Sequence, residues 1–364
     1  MTDSSSPSSA PRPRPKPAIP ARERRFVGRA VADVHAPRLD VPLAQLVPGI
    51  TTLVDWLTPS FYIDLGRPCN SACLYCAVPP HEDAQGFTPM TEVPSMIAAG
   101  QQVGCDRAIL IGGEPTIHPH LGDVLAMLRD AGLPDRHIVM TNGLRLAKPG
   151  FADELVAAGV GTFHVSIDTA DAAIYDQLSR SVGRHPQQAL GFEAALRSDA
   201  NVYVYTAVTA LNAPGLPALA QWISARATAA GQPAPPWVLA VIKPIGDGLR
   251  YADQLLMAPH AAVAAVRAGL EAAQAAGVPV GFRNIQACLA PDLVRFNVDY
   301  YLDDFSVDVQ SGERVGYSHE EHWRKPSDAC GRCGHETLCT GIYGEMADRY
   351  GDAAYVPVGR VGLK

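Results

Sequence analysis

Three cysteines stand within eight residues in CNSACLYC: Cys69, Cys73 and Cys76. The chain has 364 residues and eight cysteines in all. Thiolates are soft donors that select zinc, copper(I) or iron–sulfur clusters. A closed structural zinc site needs a fourth Cys or His nearby, and His81, five residues past Cys76, is the nearest candidate. Two readings stand open here: a zinc site, and an iron–sulfur cluster held by three thiolates with one open position. A second group, Cys330, Cys333 and Cys339, has Cys288 upstream of it in NIQACLAP. Four thiolates close a metal site completely, so this group suits a cluster or a zinc knuckle, with His335 as the alternative to Cys288. Cys105 is left outside both groups and reads as a small buried hydrophobe. In GGEPT, glycines Gly112 and Gly113 admit a ligand close to the backbone. Glu114 there can accept charge-assisted hydrogen bonds from an ammonium, although the same residues also make an ordinary strand-to-helix turn.

The elements that must carry these residues alternate along the chain. Strands are expected at Phe61–Leu65, Arg107–Ile111, His137–Met140, Phe163–Ile167, Val202–Val208 and Trp237–Ile242. Helices are expected at 121–128, 151–158, 187–196, 216–227 and around Val263, Val266 and Leu270. Six strands separated by helices predict a parallel α/β sheet: a partial (β/α)6 TIM-type barrel, whose site collects at the C-terminal strand ends. The chemically unusual residues fall at those ends. The cysteines follow the first strand, GGEPT the second and Asn142 the third; Ser166 and Asp168 lie at the fourth. Lys243 and Asp247, in IKPIGDG, follow the sixth, where a barrel opens over its substrate. Asp168 also reads as a helix cap, Tyr75 as plain packing, and Lys243 and Asp247 as surface charges.

Composition sets the outer bounds. Hydrophobic residues make up 47% and charged residues 18%, which suits a globular chain with a sizeable core. The net charge of −7 argues against a nucleic-acid partner. No apolar run is long enough to span a membrane, and no signal peptide is visible, so the expected location is cytoplasmic. In that compartment, clustered cysteines point to metal or catalysis rather than disulfides. Residues 1–25, rich in Ser, Pro and Arg, read as a disordered tail, and 26–57 as an N-terminal extension.

CNSACLYC resembles the CxxxCxxC signature of the radical S-adenosylmethionine (SAM) superfamily, including the aromatic Tyr75 before the last cysteine. The order of GGEP and SID after it strengthens the resemblance, which covers roughly residues 58–245. It implies a [4Fe–4S] cluster on Cys69, Cys73 and Cys76, with SAM chelating the fourth iron and yielding a 5′-deoxyadenosyl radical. It also implies SAM contacts from Tyr75, Gly112, Gly113, Glu114, Pro115, Asn142, Ser166, Asp168 and Arg180 or Arg184. CGRCGHETLCTGIYGEMADRYG is similar to the end of Twitch and SPASM domains, which carry auxiliary clusters. No cysteine follows Cys339, so the resemblance implies one auxiliary [4Fe–4S] cluster on Cys330, Cys333 and Cys339, and the cysteine count offers Cys288 as its fourth ligand. The expected organisation is a radical SAM partial barrel over 58–250, a connecting helix over 251–285 and a small auxiliary-cluster domain over 286–364.

The function so implied is hydrogen abstraction from a substrate, with the auxiliary cluster taking the electron. The expected substrate is a ribosomally made peptide, crosslinked or oxidised. A small metabolite undergoing dehydrogenation or rearrangement, methyl transfer, and a non-catalytic metal-binding scaffold are the alternatives. Lys243 is a candidate substrate-contacting residue, and a flavodoxin or ferredoxin is the expected electron donor.

Overall fold

A computed structural model describes residues 60–77, 86–102, 104–300, 305–307, 314–316, 323–324, 328–335, 339 and 341–359. The tail over 1–25, the extension over 26–57 and His81 lie outside the described residues.

Seven parallel strands form one sheet in sequence order: β1 (Phe61–Asp64), β2 (Ala108–Ile111), β3 (His137–Thr141), β4 (Val160–Ser166), β5 (Asn201–Val208), β6 (Trp237–Val241) and β7 (Val280–Arg283). Helices connect them: α1 (Val93–Gln102), α2 (Leu121–Asp130), α3 (Phe151–Ala157), α4 (Ala172–Ser179), α5 (His185–Arg197), α6 (Leu216–Ala229) and α7 (Pro259–Ala275). β-branched and aromatic residues fill β4 to β6 (VGTFHVS, NVYVYTAV, WVLAV), as suits a pleated buried surface. Alternate strand residues, such as Ile63, Leu110, Val139, Phe163, Val204 and Leu239, pack into one core with the apolar faces of the helices. The intervening residues face away from the helices. Asp64, His164, Ser166, Tyr205 and Arg283 are among them.

Two local features show how closely sheet and helices fit. A Cβ on Gly100 of α1 would stand 2.4 Å from the Phe61 ring, so only glycine lets this helix lie against β1. The wholly buried Trp237 donates its indole N–H to Thr206 Oγ1 at 2.8 Å, so the largest core side chain leaves no buried donor unpaired.

The sheet has one strand more than the six expected. β7 lies in the stretch read as a connecting helix over 251–285, of which α7 is the helical part. VGFR is four residues long with a glycine inside, too short for alternation to register. Its pairing with β6, Trp237 opposite Val280 and Leu239 opposite Phe282, is a tertiary fact. Helices α1 and α4 were also unanticipated. The first carries an internal Pro and Gly, and the second is eight residues long. Beyond the sheet lie two antiparallel pairs, β8 (Phe305–Val307) with β9 (Arg314–Gly316) and β10 (Trp323–Arg324) with β11 (Ile342–Tyr343), and helix α8 (Gly344–Tyr350).

Two histidines are built into the sheet. His137 opens β3 and accepts the Ala108 N–H at 3.3 Å; His164 lies against the Tyr203 and Tyr205 rings. Burial holds His137 down to about 4, with Arg107, Arg129 and Arg136 pushing the same way and Asp135 opposing. Burial and Arg283 hold His164 down to about 3. Between these values and 6.5 the unfolded chain binds protons that the folded chain does not, so stability falls as pH drops below 6.5. The slope is about 1.4 kcal/mol per pH unit for each histidine. Urea midpoints at pH 7 and pH 5 should therefore differ, and His137→Gln should flatten part of that difference. A variant with the full acid sensitivity of the parent would contradict the assignment.

Candidate functional site

The cysteine loop leaves β1 and is held along its length by other strand ends. At its entry, the Gly113 N–H donates to the Gly66 carbonyl at 2.7 Å and the Glu114 N–H to the Pro68 carbonyl at 2.9 Å. A Cβ on Gly113 would meet the Arg67 and Pro68 carbonyls at 2.3 Å. The glycines of GGEPT thus let β2 close against the chain entering the cysteines. In its middle, the Ala72 and Leu74 N–H groups donate to the carbonyls of Ser179 and Leu178 at 3.1 and 2.8 Å, the last turn of α4. Leu74 is buried there with Leu178 and Leu255. At its exit, the Cys76 carbonyl accepts the Asp247 N–H at 2.9 Å, and the Cys76 N–H donates to the Cys73 carbonyl.

Glu114 is 2% exposed and ties two strand ends together. Its Oε1 accepts from Thr116 N at 3.1 Å, Thr116 Oγ1 at 2.6 Å and Thr141 Oγ1 at 2.7 Å; its Oε2 accepts from Asn142 N at 2.7 Å. Burial raises its pKa, and these hydrogen bonds oppose the rise. Asn142 passes the connection on, donating from Nδ2 to Asn70 Oδ1 at 2.7 Å inside the cysteine motif. Ser181 Oγ reaches Ser71 Oγ at 3.0 Å from the other side. Buried Gln188 donates Nε2 to both the Asn142 and Ser166 carbonyls at 3.0 Å, fixing the ends of β3 and β4.

Asp168 follows β4. Its Oδ1 accepts the Ala207 N–H at 2.8 Å and its Oδ2 accepts the Tyr75 hydroxyl. Burial raises its pKa to about 6, with both hydrogen bonds opposing. Asp171, not Asp168, caps α4, accepting from Ala173 N and Ile174 N. Tyr75 is held among apolar neighbours, and its hydroxyl also interacts with the Cys73 thiol. Arg180 adopts a left-handed backbone (φ 53°) and lays its guanidinium 4.6 Å over the Tyr251 ring; Arg184 is exposed before α5. Lys243 is partly buried after β6. Asp247 is buried against the cysteine loop and pairs with Arg250 at 3.1 Å, so it is part of the loop's support.

The donor set bears on what the loop holds. Cys69, Cys73 and Cys76 are unbridged thiols. Burial pushes Cys69 up to about 12, with Glu114 and Cys76 adding to it. Burial also raises Cys73, with Asp168 and Cys69 adding. Adjacent thiolates beside carboxylates need a cationic, thiophilic group to exist together, which a metal cluster supplies. The Ser71 N–H points to Cys69 Sγ at 3.4 Å, the kind of contact that stabilises a thiolate ligand. Among the described residues, no three His, Cys, Asp or Glu side chains stand as a single metal ion would draw them. A four-iron cluster takes each thiolate on a different iron.

The second cysteine group lies within electrostatic reach of Cys288. Cys288 is raised to about 11 by burial, with Cys339, Cys333 and Cys330 adding to it. The Cys333 N–H donates to the Cys330 carbonyl at 3.0 Å, and the Gly341 N–H points to Cys339 Sγ at 3.4 Å. His335 is buried, its carbonyl accepting the Cys339 N–H at 2.9 Å. Cys105 is buried with its thiol toward the Ser60 carbonyl.

Sequence reasoning gave no sign of Thr116, Thr141, Ser179, Ser181 or Gln188. Their residue types are common, and their roles exist only where strand ends converge. Gly246 left a weak signal, a glycine just past a strand end.

Comparison with known proteins agrees with this geometry. The family model described as "Radical SAM superfamily" matches residues 63–212. A GTP 3′,8-cyclase from Shewanella denitrificans is 31% identical over 160 residues, 43% of this chain and 46% of that protein. An AdoMet-dependent heme synthase from Methanosarcina barkeri is 30% identical over 150 residues, 41% of this chain and 42% of that protein. The chain thus spans less than half the length of these curated relatives. Among solved structures, Streptococcus suis SuiB bound to its precursor peptide SuiA matches with a TM-score of 0.59 and 12% identity, over 83% of this chain and 75% of that one. The protein anSMEcpe with bound AdoMet matches at 0.55 and 15% identity, over 84% and 93%. At these identities the likeness is one of fold. Among the described residues, no helix is long and apolar enough to cross a membrane. The motif, the parallel sheet and the family match agree: residues 63–212 of this chain carry a domain that matches the radical SAM superfamily.

Proposed function

We propose that this protein is a SAM-cleaving radical enzyme that abstracts hydrogen from a peptide and carries a second, auxiliary iron–sulfur cluster. The observation that carries this reading is the cysteine loop, braced at entry, middle and exit by the C-terminal ends of β2, β3 and β6 and by α4. Cys69, Cys73 and Cys76 would hold three irons of a [4Fe–4S] cluster. With SAM bound, that cluster supplies a 5′-deoxyadenosyl radical. Glu114 Oε2, which accepts one hydrogen bond where Oε1 accepts three, is the oxygen with capacity left for the SAM ammonium. Gly112, Gly113 and Pro115 shape that end of the site. Tyr75, Asn142, Ser166, Asp168 and Arg180 line the remainder of the proposed SAM site, and Lys243 the substrate side.

Reconstituted protein with dithionite and SAM should release 5′-deoxyadenosine, and Cys73→Ala should release none. S-adenosylhomocysteine as the product would instead indicate methyl transfer, and no SAM turnover at all would leave a non-catalytic scaffold. A flavodoxin or ferredoxin is the proposed donor in place of dithionite.

The auxiliary reading is supported by Cys288 standing within electrostatic reach of Cys330, Cys333 and Cys339. Four thiolates leave no iron open to a substrate, which favours electron acceptance over substrate anchoring. In protein already lacking Cys69, Cys73 and Cys76, Cys288→Ala should change the spectrum of the remaining cluster and lower iron below about four per chain. Unchanged iron and spectra would remove Cys288 from the set.

The peptide preference draws support from the face of the sheet turned away from the helices. Among the described strand residues facing away from the helices, Asp64 and Arg283 carry full charge, and Arg283 pairs with Asp299 at 2.7 Å. A triphosphate demands several unpaired cations, whereas an amide chain is served by paired charges and phenols. A small metabolite remains the second reading, favoured by the GTP 3′,8-cyclases matched over part of the chain. GTP-dependent 5′-deoxyadenosine release above the SAM-only rate would establish that second reading.

A further inference from the structure

The Tyr75 side chain is fixed at both ends. Its ring lies in a small apolar cluster with Leu74, Leu178 and Leu255, and its hydroxyl donates to Asp168 Oδ2. The other Asp168 oxygen is taken by the Ala207 N–H at 2.8 Å, and the Asp168 carbonyl by Asn212 Nδ2 at 2.8 Å. The carboxylate therefore has one orientation, and each oxygen keeps a second lone pair. Tyr75 precedes Cys76, so its hydroxyl joins the cysteine loop to the end of β4 by side chain as well as by backbone.

We propose that the Tyr75 hydroxyl is a positioning group that presents the Asp168 carboxylate, already oriented, to a vicinal diol such as the ribose of SAM; this rests on the SAM-binding reading above. An acceptor held on both oxygens takes a diol without reorganising first, and that advantage is lost when the phenol is removed. A hydrogen bond to a charged acceptor that steadies such a contact corresponds to about a tenfold change in affinity.

The test is a SAM titration of reconstituted Tyr75→Phe, Asp168→Asn and the double variant, read from the SAM-dependent change in the cluster's EPR spectrum. Tyr75→Phe should bind SAM about tenfold more weakly. Its iron content and urea midpoint should match the parent's. Asp168→Asn should be weakened at least as much, and the double variant should be no weaker than Asp168→Asn alone, because the phenol's part in holding the diol runs through the carboxylate. Parental SAM affinity in Tyr75→Phe overturns the proposal. So does a further tenfold loss in the double variant, or a loss of iron in Tyr75→Phe, since either gives Tyr75 a role apart from Asp168. If the parent itself shows no SAM-dependent spectral change, the SAM-binding reading fails first and this proposal with it.

Discussion

Protein in which Cys69, Cys73 and Cys76 are all replaced by alanine is expected to keep about four of about eight irons per chain, and to release no 5′-deoxyadenosine. The reasoning is local. The three thiols belong to one loop after β1, while Cys288, raised by burial and then by Cys339, Cys333 and Cys330, stands near a separate group of cysteines. Removing the first group leaves the proposed auxiliary ligands intact. The loop should also keep its path, because its hydrogen bonds to Ser179, Leu178, Glu114 and Asp247 are made by backbone groups. The urea midpoint of the metal-free variant should therefore lie close to that of metal-free parent, while SAM turnover disappears. A parent with about four irons and a triple variant with none would remove the auxiliary cluster from the mechanism. Zinc in both, without iron, would overturn the radical reading itself.

The sequence carried the site's chemistry better than its scaffolding. The strand ends were legible because runs such as Val202–Val208 and Trp237–Ile242 are rich in β-branched or aromatic residues and stop at polar ones. Placing cysteines, GGEPT, Asn142, Ser166 and Asp168 at successive ends needed only that periodicity. What holds them was not legible. Glu114 reads from sequence as a ligand for an ammonium, yet four of its hydrogen bonds come from its own chain. Thr116 supplies two of them, and Thr141 and Asn142 one each. The GGEPT glycines read as room for a ligand, yet the nearest atoms to Gly113 are the Arg67 and Pro68 carbonyls. A close approach of backbone to ligand and of backbone to backbone leave the same glycines. β7 escaped because four residues with an internal glycine hold too little pattern, and only its pairing with β6 defines it.

Gly246→Ala is expected to cost the SAM-binding cluster while sparing the fold. Gly246 stands at φ 54°, ψ −133°, a region closed to side chains, and a Cβ there would meet the Cys76 and Ala77 carbonyls at 2.6 Å. Backbone strain alone at such a position is on the order of 1–3 kcal/mol. Two carbonyl contacts well inside van der Waals distance force the segment to move as well. What moves is the end of the clamp: the Asp247 N–H is drawn from the Cys76 carbonyl, and the pair of buried Asp247 with exposed Arg250 shifts with it. The third cysteine then loses the contact that sets its backbone, and a cluster site tolerates little displacement of a ligand. Gly246→Ala should hold about four irons, as the triple-cysteine variant does, with a parental circular-dichroism spectrum and the C-terminal cysteine group still loaded. Gly231→Ala is the matched control. It also has a positive φ, 72°, but a Cβ there meets open space. It should lose on the order of 1 kcal/mol of stability and no iron. If Gly246→Ala kept about eight irons and parental SAM affinity, the loop after β6 would be a neighbour of the cysteines and not a clamp on them. If both glycine variants lost iron alike, general destabilisation would account for the loss.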